Sequence, residues 1–529
     1  MMSITPKDRK LRPEQPQEKK SLYPYFWLSA LIFLVYFQGL FFGFVYLDDN
    51  ALILDNFEFI SKLSNIFGAF KYDAFFNSYG GSYYRPIFTL SFMLDALTGG
   101  ASPFMYHLTN LLLHTIASCL AYRLFTEFEY SSSKAFLFSA IFGVHPALSQ
   151  VALWLSGRGE SLLAIFVAGS ILFLVGFAKT GKFSFYMLHI LFFILSVFTK
   201  ETALTAPLIY FLYLKFIFRG KIPSPALISL ISGWLLSIAC CLVIRSLVLK
   251  TPVAHTDYDI MHTLAVAFPS TAAYVGKIFF PFNLSVFPVL KDISLKYGII
   301  AVILVILLLY LSKTRNNKSA VFGLVWFAAF LSPSLLYPAH LSETRIYLPF
   351  IGFLLCLMEI DFGGIFRLNS IGLKVASVLI ISLFSIKTIL HSRNFKDRLS
   401  FWKQAVESSP SHAFNHNNLG SMYYLDGDFH EAEFYWKKAI EINPGERLVH
   451  NNLGLIYMNR GDFKNAEAEY LKELEINPLY DNVYFNMGLL CYRQGDLPGA
   501  QALWKKAVEL NPRNHGALNN LTAIEKLLK

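Results

Sequence analysis

Apolar runs long enough to cross a bilayer recur from about Tyr23 to His391, whereas beyond Arg393 the chain is polar and helical with no such run. Of its 529 residues, 54% are hydrophobic and only 16% charged, which excludes an all-soluble chain. The expected fold is all-α. A polytopic helix bundle covers 23–392, preceded by a basic tail over 1–22 and followed by a polar helical domain over 393–529.

The net charge of +10 does not point to nucleic acid, because Lys and Arg sit mainly in short loops between apolar runs, as the positive-inside rule places them. The bilayer is the expected partner. Cys119, Cys240, Cys241, Cys356 and Cys491 form no CxxC, and four of them lie in apolar segments, so neither a disulfide framework nor a zinc site is indicated. Lys7, Arg9, Lys10, Arg12, Lys19 and Lys20 precede the first apolar run with no small-residue cleavage site, the pattern of a retained signal anchor with a cytosolic tail.

The first span (about 23 to 45) then delivers Tyr46-Leu47-Asp48-Asp49 to the outer face, where an outward loop runs over 46–102 before the return span at about 103 to 125. Basic turns follow at Arg123 to Lys134, Lys179 to Lys182, Lys215 to Lys221, Lys313 to Lys318 and Arg367 to Lys374. All are cytosolic if about eleven spans alternate between them. That parity requires the segment near 263 to 282, with Pro269, Lys277 and Pro281, to be re-entrant or interfacial. The C-terminal domain then emerges on the non-cytosolic side, the periplasm or exterior in a bacterium or the ER lumen in a eukaryote.

Self-similarity organises that domain. Gly420, Gly454 and Gly488 are 34 apart, as are Gly427, Gly461 and Gly495, Ala432, Ala466 and Ala500, and Pro410, Pro444, Pro478 and Pro512. The period and residue types resemble the tetratricopeptide repeat (TPR): Leu419-Gly420, Tyr423, Ala432, Trp436, Ala439 and Pro444 fill its signature positions in the first complete repeat. Glu473 stands where Ala is usual, and Cys491 replaces a Tyr. Phe401 to Pro410 matches only a second helix and Asn519 to Lys529 only a first, so three whole repeats are expected between two half units that cap the array. Asn418, Asn452, Asn486 and Asn520 form a further ladder that either grips the backbone of an extended peptide or is simply the common residue there.

Asp48-Asp49, at the outer edge of the first span, can hold a divalent metal on a lipid phosphate or supply a base toward an acceptor hydroxyl; a solvated helix end is the plainer alternative. Further ionisable and polar groups follow at Tyr84-Arg85-Pro86, at His107, Asn110 and His114 on one stripe of the second span, and at His145-Pro146. Gly157-Arg158-Gly159-Glu160, Lys200-Glu201 and Glu343 to Tyr347, with Arg345, complete the set. Taken singly, Lys200-Glu201 and Glu343 with Arg345 read equally well as local ion pairs, and His107 and His114 as satisfied groups between helices. Together, cations around two carboxylates suit a phosphate or diphosphate leaving group.

Leu47-Asp48-Asp49, Tyr84-Arg85-Pro86-Ile87, His107-Leu108-Thr109-Asn110-Leu111, His145-Pro146 through Gly157-Arg158, Lys200-Glu201-Thr202, Pro281-Phe282-Asn283-Leu284-Ser285, Arg345-Ile346-Tyr347-Leu348-Pro349 and the repeats together resemble the transmembrane-and-TPR O-mannosyltransferases and their bacterial relatives with a GT-C type membrane domain. The resemblance implies an inverting transfer from a polyprenyl-phosphate sugar to a hydroxyl, with Asp48 or Asp49 as catalytic carboxylate. It implies that Arg158, Lys200, Glu201 and Arg345 line the donor-phosphate pocket; Arg85, His107, His145, Glu160 and Tyr347 join them as candidate substrate-binding residues. Gln150 stands where that family often has Glu, and Glu160 where it often has Asp. The expected function is a glycosyltransferase, with a protein Ser or Thr held by the repeats as acceptor, a lipid-linked sugar as donor and a possible divalent metal (Mg or Mn). The rivals are a transferase acting on a glycolipid or polysaccharide, and a non-enzymatic membrane scaffold for envelope assembly.

Overall fold

The computed structural model describes residues 21–76, 83–249, 260–312, 316–336 and 341–527. The basic tail with Lys7 to Lys20, part of the first outward loop and part of the 313–318 turn lie outside the described residues. Every regular element among those described is helical, and the chain divides into two compact units, Met1–Asp397 and Arg398–Lys529.

The first unit contains the longer helices α1 (Tyr23–Tyr36), α2 (Pro86–Gly99), α3 (Pro103–Glu127), α4 (Ser132–Val144), α5 (Arg158–Thr180), α6 (Phe183–Val197), α7 (Ser224–Val248), α8 (Ile260–Phe279), α9 (Lys296–Leu311), α10 (Asn317–Leu335), α11 (Tyr347–Met358) and α12 (Ser370–Ser392). Among the described residues five stretches are long and apolar enough to cross a membrane: Tyr23–Phe41, Leu155–Thr180, Ser224–Val248, Asn317–Leu335 and Ser370–Phe395. A sixth arises if α4 and Pro146–Leu153, which meet at 55°, count as one broken span. This falls short of the eleven expected, and the cause is local. Apolar runs overstate helix length where proline and short tight turns cut them into shorter helices; Pro86–Gly99, Phe183–Val197 and Lys296–Leu311 are apolar yet only 14 to 16 residues long. The expected re-entrant segment forms α8, with Pro269 inside the helix.

The expected outward loop is folded. Short helical turns between Asn50 and Phe70 pack Leu52, Ile53, Ile60 and Ala69 against Phe88, Phe92 and Met93 of α2 and against Tyr106 and Leu155, burying a small core of their own.

The second unit is a helical array: α13 (Arg398–Ser408), then the pairs α14 (Ala413–Leu425) and α15 (Phe429–Ile442), α16 (Val449–Asn459) and α17 (Phe463–Ile476), α18 (Asp481–Arg493) and α19 (Leu497–Leu510), then α20 (His515–Leu527). The turn inside each pair holds Gly427, Gly461 or Gly495 at φ +82°, +78° or +85°, conformations that disfavour any residue with a Cβ. A Cβ on Gly420 would stand 2.7 Å from the Trp436 ring, so glycine is what lets that indole seat against α14.

The unusual Glu473 is fully buried and accepts hydrogen bonds from the N–H groups of Leu448 (2.8 Å) and Asn451 (3.4 Å) at the start of α16. Leu448, at φ +72°, offers that helix no side-chain cap, so a carboxylate from α17 does the capping instead. Glu473→Ala should therefore destabilise this repeat by about 1–3 kcal/mol, read as faster hydrogen exchange at Leu448 and Asn451 in the intact protein, with Glu473→Gln losing less.

Candidate active site

The segment after α1 turns sharply. Tyr46 (φ +59°) and Asp48 (φ +67°) both adopt the left-handed conformation, a strain of about 1–3 kcal/mol per residue that persists only where surroundings enforce it. Here the Trp154 indole N–H donates to the Leu47 carbonyl at 2.8 Å, and Asp49 Oδ2 accepts from the Val45 N–H at 2.7 Å.

The two acids are not equivalent. Asp49 is fully buried, and its Oδ1 has no hydrogen-bond partner. Burial pushes its carboxyl up to about 7; the neighbouring Asp48 adds to the rise, and the Val45 N–H and Arg158 oppose it. Asp48 is only half-buried and faces the Ser156 hydroxyl and the Arg85 charge, which hold its burial-driven rise to about 6.

The Arg85 charge acts on Asp48, and Lys200 in turn lies within reach of Arg85 and Arg345. Arg85, at the start of α2, is held by Glu201 through Nη2 (2.8 Å) and Nε (3.1 Å). Lys200 pairs with Glu160 at the start of α5, and its ammonium feels the charges of both Arg85 and Arg345. Arg345 donates to the Ser334 carbonyl at 3.2 Å and lies by Tyr274. Burial lowers the Lys200 ammonium below its ordinary range, with Glu160 opposing the fall. The pairs are long-range: Lys200 and Glu201 bind partners 40 and 116 residues away rather than each other. Glu343 does not pair with Arg345 either; it takes Lys277 of α8 at 2.7 Å and the Ser285 N–H at 3.0 Å.

Arg158, implied by the resemblance to line the donor-phosphate pocket, is instead wholly buried. It donates to Asn110 Oδ1 (2.8 Å), the Ser91 (3.2 Å) and Tyr106 (2.9 Å) carbonyls, and Asp95 Oδ2 (2.6 Å), with its guanidinium 4.1 Å over the Phe92 ring. Asn110 in turn donates to the Trp154 carbonyl at 3.0 Å. The chain Arg158, Asn110, Trp154, Leu47 thus buttresses the Asp48 turn from behind. Asp95, Ser156 and Trp154 were missed by the sequence reading; Trp154 and Ser156 sit in the stretch between His145-Pro146 and Gly157-Arg158, the one local signal.

The remaining candidates lie apart from the cluster or beneath it. Tyr347 and His114 bond to each other at 2.7 Å inside the bundle, and His114 Nε2 meets the Gly143 carbonyl at 2.9 Å. His145 caps the turn after α4, taking the Ala147 N–H and facing the Ile278 carbonyl at 2.9 Å. His107 is buried beside the Phe42 ring and the Phe42 and Gly43 backbone. Among the described residues no three His, Cys, Asp or Glu side chains converge as a metal site.

In the repeats, Asn452 donates to Asn417 Oδ1 (3.1 Å) and Asn486 to Asn451 Oδ1 (2.8 Å), while Asn418 bonds the Phe414 carbonyl of its own helix. Asn520 is half-buried on α20. Asn417 and Asn451, themselves 34 apart, are the inter-repeat partners that the ladder reading overlooked.

Fold and site together define, over the described residues, an all-helical protein of apolar, membrane-length helices joined to a repeat array, with an acid turn beside Arg85. Comparison with known proteins agrees. Residues 413–446, 449–478 and 482–514 each match a tetratricopeptide repeat family model. The chain is 30% identical over 214 residues to the protein O-mannosyl-transferase Tmtc1 of Drosophila melanogaster, covering 39% of this chain and 24% of that protein. It is 26% identical over 373 residues to the protein O-mannosyl-transferase F38B6.6 of Caenorhabditis elegans, 66% of this chain and 52% of that one. With human protein O-mannosyl-transferase TMTC3 it shares 29% identity over 148 residues, 27% of this chain and 16% of that one. The chain thus spans about half the length of one such relative and a quarter or less of the other two. The relatives carry the name that the sequence resemblance indicated, and the C-terminal unit is a TPR array.

Proposed function

We propose that the chain is a membrane glycosyltransferase of the GT-C type that moves a sugar from a polyprenyl-phosphate donor to a hydroxyl, on Ser or Thr of a protein held by the repeats. The observation that carries this reading is Asp48: a half-buried carboxyl raised to about 6 beside the Arg85 charge, with Lys200 within reach of Arg85 and Arg345. A group of that pKa is a competent base near neutral pH. Asp48 takes the proton of the acceptor hydroxyl as its oxygen attacks the anomeric carbon. The bond from that carbon to the phosphate oxygen breaks, and the electron pair leaves with the polyprenyl phosphate, whose charge Arg85, Lys200 and Arg345 meet. A single displacement inverts the anomeric configuration. The names of the relatives support the protein acceptor.

The direct test is mass spectrometry of glycopeptides and envelope lipids from cells with and without the protein. Loss of modified peptides supports the reading, loss of modified lipid alone replaces the protein by a glycolipid acceptor, and no loss of either leaves a scaffold. Lys200→Met should lower kcat/KM for the donor by about 10- to 100-fold, the worth of one charge-assisted hydrogen bond, whereas Lys200→Arg should keep most of it.

The alternation of basic turns supports eleven crossings and repeats in the compartment of Asp48. A cysteine placed at an exposed repeat position should then react with an impermeant label from outside the cytosol; reaction only after cytosolic access would overturn that parity.

A further inference from the structure

The N-terminal half of α12 borders a cavity unrelated to the acid turn. Only 6% of the most apolar stretch of this helix is buried, and Val375, Val378, Leu379 and Leu383 are more than half exposed. Between it, the start of α4 and the Met358–Gly363 turn after α11 lies a cavity of about 710 Å³. Its apolar lining includes Phe136, Leu137, Val378 and Ile381, of which Val378 also lies on the exposed face of α12. Its rim carries Lys134 and Lys374.

Two carboxylates, Glu359 and Asp361, also line it, and both accept hydrogen bonds from neutral groups of the protein. Glu359 accepts from the Tyr130 hydroxyl (2.6 Å) and the Asn316 N–H (2.7 Å), and Asp361 accepts from the Gly364 N–H (2.9 Å). Lys134 feels both charges but joins neither in an ion pair; its ammonium lies 5.9 Å over the Tyr130 ring. Lys374 is exposed. Both lysines belong to basic turns that the positive-inside pattern assigns to one side of the membrane, at headgroup level. An apolar cleft open to lipid forfeits dispersion contacts unless an acyl chain fills it.

We infer that this groove holds one membrane phospholipid, its phosphate between Lys134 and Lys374 and an acyl chain along Phe136, Leu137, Val378 and Ile381. The volume suits a headgroup and the upper part of a chain, and the rest continues along Val375 and Leu379.

The test uses the full chain purified in detergent, with phosphatidylglycerol added and retention read by native mass spectrometry. One tightly held lipid is expected, with retention falling roughly tenfold or more in Lys134→Ala/Lys374→Ala. A similar fall is expected in Val378→Trp, which fills the apolar part and leaves both lysines. Inorganic phosphate at the same concentration should not displace the lipid. Unchanged retention in the double alanine variant overturns the inference. So does loss with the lysines but not with Val378→Trp, which would mean charge attraction at an open surface, and so does displacement by inorganic phosphate. Melting without added lipid identifies folded variants, and Lys374→Ala alone, at an exposed position, decides the matter if another variant fails to fold.

Discussion

Asp48→Asn should lower glycosyl transfer by about 10²- to 10⁴-fold, the usual worth of a positioned general base, with the fold intact and donor binding nearly unchanged. The asparagine keeps the size and most hydrogen bonds of the aspartate but cannot take a proton. Asp49→Asn should lose less, because Asp49 is sealed behind the turn and acts through the Val45 N–H on the orientation of Asp48. The pH profile separates the two roles. Burial lifts the Asp48 carboxyl to about 6 and that of Asp49 to about 7, so each is protonated on the acid side and charged on the alkaline side. A base must be charged to act, so kcat/KM should rise with pH through this range and level off above it, as one apparent titration of the neighbouring pair. Asp49, with the higher value, is still protonated where Asp48 loses its proton, so Asp49→Asn should leave the acid limb of Asp48 near pH 6. Asp48→Asn should have no such limb in whatever activity remains. Full turnover by Asp48→Asn would end the assignment of the base.

Much of this was legible in one dimension. The TPR unit could be read because each repeat copies the last, so Gly420 and Ala432 recur at a fixed spacing, with an aromatic ring at Trp436, Tyr470 and Trp504 packed against each glycine. The membrane-type unit has no such redundancy. Its acid turn and cations were visible as polar residues in apolar surroundings, where desolvation makes them costly without a purpose. Their partners were not visible, because Arg85 with Glu201 and Lys277 with Glu343 meet across 116 and 66 residues, a choice made by helix packing. Nor could spacing reveal which cations face a cleft and which are sealed. The described residues hold five or six membrane-length helices against eleven expected spans for a related reason: hydropathy sums over runs, whereas a proline or a tight turn such as His145-Pro146 ends a helix at one residue.

Arg158 makes that difference measurable. Its guanidinium and Asp95 are 0% and 1% exposed, and Asp95 also accepts the Thr109 hydroxyl at 2.6 Å. Arg158→Ala would strand a buried carboxylate and leave Asn110 Oδ1 and two carbonyls without donors, a loss of about 3–5 kcal/mol of stability, read as a lower midpoint of denaturation in mixed micelles. Arg158→Lys should recover little, because one ammonium cannot reach four acceptors arranged around a planar fork. The double change Arg158→Met with Asp95→Leu removes the stranded charge and should regain much of the stability. It should not regain activity, because Asn110 then lacks the donor that orients it toward the Trp154 carbonyl, and the Leu47 to Asp48 turn loses its support. A residue lining the donor-phosphate pocket would behave otherwise: Arg158→Lys would raise the donor KM with the melting point unchanged, and Asp95→Leu alone would be nearly silent. The buttress requires that Asp95→Leu, which leaves a buried guanidinium without its anion, be among the most destabilising single changes in the bundle.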